Sequence, residues 1–246
     1  MMKKVPRPTA VAITVVAASL LLFPAAAYIL PFDPLLEQLG EKRKEEEEIG
    51  RVFRGKLTFH DVDGVEVAVP ATRAVRADGH CRIELNLEPD HELEGAYVNW
   101  DGRRAAGSGE AVLEPLMMLE TLACPLFALG THAEPLIRGQ VDLLGVDVEQ
   151  VGYGRLEGKV AYVIGGRSWE THLPQVWLHK ETLVPLRALG EIDGRAADVR
   201  MMGREDRESG EWHPTRIELY LDGMLAVTFD AREVDHDVDL PASLFR

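Results

Sequence analysis

Cysteine is almost missing from this chain of 246 residues: Cys81 and Cys124 are the only two. No C-x-x-C occurs, and neither cysteine has a histidine or a second cysteine at ligand spacing, which removes the usual zinc and thiol-redox patterns. No G-x-S-x-G stands at a strand-to-helix turn, so a nucleophile elbow is missing. Gly107-Ser108-Gly109 is short and lacks that setting. Gly152-Tyr153-Gly154 and Gly165-Gly166 lie between strand-like segments and read as hairpin turns, not phosphate loops. Positive charge is scarce too. Lysine and arginine number 27 against 41 aspartates and glutamates, a net charge of −14. That excess of acid argues against nucleic acid and anionic membrane surfaces as partners, since both are held through cations.

What basic charge there is begins at once. Met1 to Thr9 carry Lys3, Lys4 and Arg7 with no acid, Ala10 to Phe23 are uncharged and apolar, and Pro24-Ala25-Ala26-Ala27 follow. A basic region, an apolar run and small residues together read as a signal peptide over 1–27, with Ala25 and Ala27 at the peptidase site. Residues 28–246 are then a single exported domain, periplasmic and soluble after cleavage. The alternative is an uncleaved anchor tethering the same domain to the inner membrane, because the run read on through Tyr28-Ile29-Leu30 reaches the roughly 20 residues that span a bilayer. No cysteine follows the run, so lipoprotein processing is excluded. Cleavage removes three positive charges and takes the net charge from −14 to −17. In an exported chain Cys81 and Cys124 either form one disulfide or remain two buried thiols.

Beyond the leader, Pro31-Phe32-Asp33-Pro34 reads as extended, and Leu35 to Ile49 as a helix with Leu35, Leu36 and Leu39 on one face. Gly50 ends that helix. From Arg51 the pattern changes to two-residue alternation punctuated by Asp-Gly turns at 63–64, 78–79, 101–102, 193–194 and 222–223. Strand-like segments include Val52 to Phe59, Gln140 to Val151, Gly158 to Ile164 and Gln175 to Leu178, with another turn at Glu208-Ser209-Gly210. Near the end, Ile217, Leu219 and Leu221 face Leu225, Val227 and Phe229 across a hairpin. Glu110 to Leu129 breaks this rhythm: it is apolar almost all round, as a helix buried on most sides must be, and Pro115 and Pro125 divide it into pieces.

Eight histidines and many acids invite a search for catalysis or metal binding. Asp235-His236-Asp237 is the densest cluster, but neighbours along a strand point to opposite faces. His60-Asp61 and Asp90-His91 sit beside turns, and His172 and His179 share no ligand spacing. The sequence therefore predicts no catalytic residue, no metal and no cofactor; a hydrolase would need carboxylates assembled only in space. What remains is a large antiparallel sheet with one greasy helical segment. A helix packed permanently over a sheet is an ordinary core, and a cover that exchanges with cargo would use the same residues. Met117-Met118 suits the second role, because methionine repacks around varied apolar partners.

Several phrases along the chain are more specific. They are Arg51-Val52-Phe53-Arg54-Gly55-Lys56-Leu57, Gly158 to Gly165 (GKVAYVIG), Gln175 to Arg187 (QVWLHKETLVPLR), His213-Pro214-Thr215-Arg216-Ile217 and Leu240 to Phe245 (LPASLF). In this order the chain resembles the LolA/LolB-type superfamily of periplasmic lipoprotein carriers and its outer-membrane-lipoprotein-sorting relatives, from about Leu35 to Phe245. The resemblance implies an α+β fold: a large curved antiparallel sheet, an incomplete β-barrel, wrapped around a helical plug, with an N-terminal helix. It also implies a non-enzymatic cell-envelope carrier or chaperone holding lipoprotein acyl chains, or another amphiphile, in an apolar cavity, with a membrane-bound donor or acceptor as partner. The expected lipid-binding residues are Leu116, Met117, Leu119, Leu122 and Phe127 on the helix and Trp177, Leu219 and Phe229 on the sheet. The competing expectation is a non-catalytic envelope scaffold or interaction module with a sealed core. The family's functional arginine falls on no single residue here.

Overall fold

Turn chemistry and alternation lead the chain outward from the middle of a sheet and then back to it from the other side. The computed structural model describes residues 29–44, 50–89, 91, 93–108, 113–205 and 212–245. Ala25, Ala27 and the rest of residues 1–28, on which the expected signal peptide falls, residues 45–49, Glu110 to Val112 of the apolar segment, and the turn at Glu208-Ser209-Gly210 lie outside the described residues. Residues Pro31–Arg246 form one compact unit.

Strands β1 (Gly50–His60), β2 (Glu66–Val75), β3 (Cys81–Leu85), β4 (Tyr97–Trp100) and β5 (Ala105–Ser108) step outward as antiparallel neighbours. A second series runs β6 (Val151–Leu156), β7 (Lys159–Ile164), β8 (Gln175–His179), β9 (Pro185–Ile192), β10 (Arg195–Glu205), β11 (Trp212–Leu221) and β12 (Met224–Val238). It closes on the first when β12 pairs with β1. The order β5-β4-β3-β2-β1-β12-β11-β10-β9-β8-β7-β6 leaves β5 and β6 as free edges, so the twelve-stranded sheet is not closed into a barrel. It has two arms, β1–β5 and β6–β12.

The chain must travel from edge β5 to edge β6, and it does so as helix across one face. That crossing holds α2 (Glu114–Ala123), short 3-10 turns at Cys124–Phe127 and Gly130–His132, and α3 (Ala133–Leu144). Helix α2 touches β4 and β5 on one arm and β9, β10 and β12 on the other, while α3 lies on β8 and β9. Beneath them runs an unbroken row of cross-strand partners: Leu219, Val199, Ala188, Val176 and Ile164, all fully buried. Leu57, Phe229, Ile217 and Met201 form a second such row. The arrangement is an α+β curved sheet around a helical plug.

Three local expectations need correction. Helix α1 spans Phe32–Lys44, so Phe32-Asp33-Pro34 is helical, not extended; proline loses nothing in a first turn, whose N–H groups have no intrahelical partner. Residues 45–49 of the expected helix lie outside the described residues, and Gly50 opens β1 opposite Val238, where a Cβ would stand 2.7 Å from the Val238 carbonyl oxygen. Residues 140–144 are not strand: Ile137, Gln140, Val141 and Leu144 are the buried 3.6-period face of α3, closed by left-handed Gly145 at φ 66°. The local alternation of Val141-Asp142-Leu143 hid a helix that begins seven residues before Gln140. Finally, a bulge after Leu219 sets Leu225 opposite Tyr220, although Ile217 does face Phe229 and Leu219 faces Val227.

Candidate functional site

The layer between the plug and the sheet is where the sequence predicts cargo. Leu116, Leu119 and Leu122 are fully buried on α2, and Leu219 and Phe229 are fully buried on the sheet face below. These five are brought into one layer. Met117 and Phe127 are only half-buried, and the neighbouring Met118 takes the interior position.

Trp177 is elsewhere. It pairs with Val163 and Arg187 and therefore points opposite to Val176. Leu144 packs over Gly190, on the Val176 side, which places Trp177 on the outer face. There it is buried with Ala161, Val163 and Leu189, against Gly154 and Ser168. Both faces of the sheet are buried at this point, so alternation alone does not say which one is lined by the plug.

Polar and covalent fastenings hold the plug. Cys81 of β3 and Cys124, the residue after α2, are joined in a disulfide. Beside it, Arg73 of β2 forms a two-pronged pair with Glu120: Nε donates to Oε1 at 2.7 Å and Nη2 to Oε2 at 2.9 Å. Both side chains are essentially inaccessible. The Arg73 guanidinium also lies 5.0 Å from the Phe127 ring centroid and 3.6 Å from Cys81 Sγ. Glu120 is the single charge on the buried side of α2, and an unpaired carboxylate there would carry a large desolvation cost. Cys81, Cys124 and Glu120 stand as close as metal ligands would. With the sulfurs bonded to each other and Arg73 opposite the carboxylate, the group is a clamp, not a cation site.

Helix α1 adds a third fastening. The Arg43 side chain is buried and donates from Nη1 to the carbonyls of Leu126 and Ala128, each at 2.8 Å. Its Nη2 reaches the Leu183 carbonyl in the β8–β9 turn at 3.5 Å. Gln140 of α3 donates to the Thr121 carbonyl at 2.9 Å and ties the two plug helices together. Against the second arm the plug makes apolar contacts at Gly190, where Leu144 packs, and at Gly165, where Val146 lies. On that arm burial, with help from the neighbouring Tyr153, pushes the Tyr162 phenol up to about 12.

Asp235, His236 and Asp237 gather no close set of ligand atoms among the described residues. Asp235 pairs with Arg54, and Asp237 lines a separate cavity of about 500 Å³ with Arg76, Asp78 and His132.

No protein-family model matches the chain, and no curated protein matches it in sequence. Solved structures do. A domain described as an outer membrane lipoprotein-sorting protein from Vibrio parahaemolyticus aligns over 85% of this chain and 95% of its own, with a TM-score of 0.51 at 9% identity. The chain shares the fold of that domain. A LolA superfamily protein from Nitrosomonas europaea aligns over 88% of this chain and 98% of its own, at 15% identity and a TM-score of 0.49. A DUF1329 family protein from Desulfovibrio piger aligns over 88% and 97%, at 13% identity and a TM-score of 0.49. Within this fold the described residues hold the plug by three separate devices, and two of them, the disulfide and the Arg73–Glu120 pair, lie on the same arm.

Proposed function

We propose that the protein is an exported carrier which takes the alkyl chain of an amphiphile, such as a lipoprotein acyl chain, between the plug and the second arm. One observation carries this reading: the apolar layer is bounded by a plug that is locked to β2 and β3 but rests on β8 and β9 through apolar contacts. Such a contact exchanges one hydrocarbon partner for another at little net cost, whereas separating the Arg73–Glu120 pair would strand a charge in the interior. Cargo would enter by a hinge about Cys124, α3 lifting from Gly190 while the α2 end at Glu120 stays seated. The lipoprotein-sorting fold and the leader-like first 27 residues support an envelope location on the periplasmic side, and the reading needs no cofactor.

The alternative, a sealed scaffold, draws its support from the complete burial of Leu116, Leu119 and Leu122. Displacement of a fluorescent fatty acid by unlabelled lipid, together with analysis of lipid that co-purifies, separates the two. Saturable displacement is expected of the carrier. A chain that binds no probe and brings no lipid with it would be the scaffold.

A further inference from the structure

The outer face of the second arm carries a cavity of its own, of about 630 Å³, on the side of the sheet away from the plug. Its apolar wall is Leu173, Pro174 and Leu189, and its polar wall is Arg187, Arg200 and Tyr220. The volume falls in the range of small-molecule sites, about 300–1,000 Å³.

Its floor is cationic by construction. Asp198 accepts from Nε and Nη2 of Arg187, both at 2.7 Å, and from Nε and Nη2 of Arg200 at 3.1 and 3.0 Å. Two guanidinium groups thus share one carboxylate, three of the four bonds falling on Oδ2. The Nη1 of each is left without an acceptor among the described residues. Arg187 lies over the Trp177 ring and Arg200 over the Tyr220 ring, at 5.2 and 4.2 Å from the centroids, so neither is free to swing away. The other acids nearby are engaged or peripheral. Glu218 accepts from Arg216 Nε at 2.8 Å and from the Tyr220 hydroxyl at 2.9 Å, and Glu191 is exposed at the rim with His172.

The wall that closes the cavity is preset as well. Gln175 is fully buried, donates to the carbonyls of Arg167 and Glu170 at 3.0 and 2.9 Å, and accepts from the Trp177 indole at 2.9 Å. The segment from Arg167 to Pro174 is therefore held over the sheet from beneath, without any ligand.

We propose that this outer cavity binds a small amphiphilic monoanion, its carboxylate or phosphate against the Nη1 edges of Arg187 and Arg200 and its apolar body along Leu173, Pro174 and Leu189. A charge-assisted bond to a guanidinium is the strong contact, and the apolar wall selects against simple inorganic anions. The site is independent of the plug layer, which lies on the opposite face.

Octanoate titrated into the full chain, with octanol as the uncharged comparison, tests the assignment by calorimetry. Saturable octanoate binding is expected, weakened at least about tenfold in octanol and in Arg200→Gln, with partial recovery in Arg200→Lys, since one charge-assisted contact is worth a factor of that order. Should Arg200→Gln fail to fold, Leu173→Glu at the half-buried wall sets a carboxylate beside the ligand and should weaken binding comparably. Equal binding of octanoate and octanol, or binding indifferent to both substitutions, overturns the proposal; the second result would still agree with uptake in the plug layer. Phosphatidylglycerol vesicles settle the source of the anion. Sedimentation that depends on Arg200, without octanoate binding, assigns a lipid headgroup, octanoate binding assigns a dissolved ligand, and the absence of both overturns the site.

Discussion

The plug meets the two arms of the sheet on different terms. On the β1–β5 arm it is bonded through Cys81 and Cys124 and paired through Arg73 and Glu120, and both devices sit within one turn of α2 and its exit. On the β6–β12 arm α2 touches β9, β10 and β12, Leu144 packs over Gly190 and Val146 lies by Gly165, and Arg43 bridges plug carbonyls to the β8–β9 turn. A fold that needed only to be sealed could fasten either side. Concentrating the fastenings on one arm gives the crossing segment a fixed end and a releasable end.

Making the two arms alike should have the largest effect. A Cβ built on Gly190 stands 3.7 Å from Leu144 Cβ, within the roughly 3.5–4.5 Å that a disulfide bridges. Leu144→Cys with Gly190→Cys should therefore staple the plug to the second arm as well. If cargo enters by lifting α3, the oxidised double variant loses fatty-acid probe binding by at least about a hundredfold, as when a competent state falls below about 1% of the population. Each single variant should bind much as the unaltered chain does. Undiminished binding in the stapled protein would remove the hinge.

Much of the sheet was legible because its determinants are local. Asp222-Gly223 adopts positive φ at both residues, 54° and 82°, the requirement of a tight hairpin turn, and that dipeptide announces itself in any sequence. Pro115 and Pro125 mark the starts of α2 and of the 3-10 turn because their missing N–H is harmless there. The plug leucines were legible for the same reason, since a segment apolar all round has no other place to go. Trp177 was not, because burial on both faces of β7–β9 removes the polar-out signal that tells one face from the other. Nor was the Arg73–Glu120 pair, whose members are 47 residues apart. A signal for it did exist: Glu120 is an acid in the middle of an apolar helix, and such a residue demands a cation.

Removing the fixed end should cost stability next in order. Cys81→Ser with Cys124→Ser opens a loop of sequence separation 43, worth about 4 kcal/mol by the chain-entropy relation. Urea unfolding of the variant against the oxidised protein measures it. A much smaller loss would mean that Arg73–Glu120 and packing hold the plug in place on their own. The releasable end should matter less: Leu144→Ala should cost about 2–3 kcal/mol, and it should accelerate hydrogen exchange in α3 and β8–β9 while β2–β3 stays protected. Exchange rising equally in both arms would erase the distinction between them.

The smallest effect belongs to the second arm alone and is read at high pH. Tyr162 pairs across β6–β7 with Tyr153, the ring centroids 5.2 Å apart, and its phenol is raised to about 12 by burial and by that neighbour. An unfolded tyrosine titrates near about 10. Between these values the folded state holds a proton that the unfolded state has lost, so the unfolded state binds fewer protons and stability falls as pH rises. The contribution is complete below pH about 10 and is lost as pH climbs through about 12. Tyr162→Phe has no proton to lose and should flatten this limb. The flattening should be seen in denaturant titrations and in the exchange of β6–β8, with the β1–β5 arm unchanged; an equal change in both arms would show that alkali acts on the molecule as a whole.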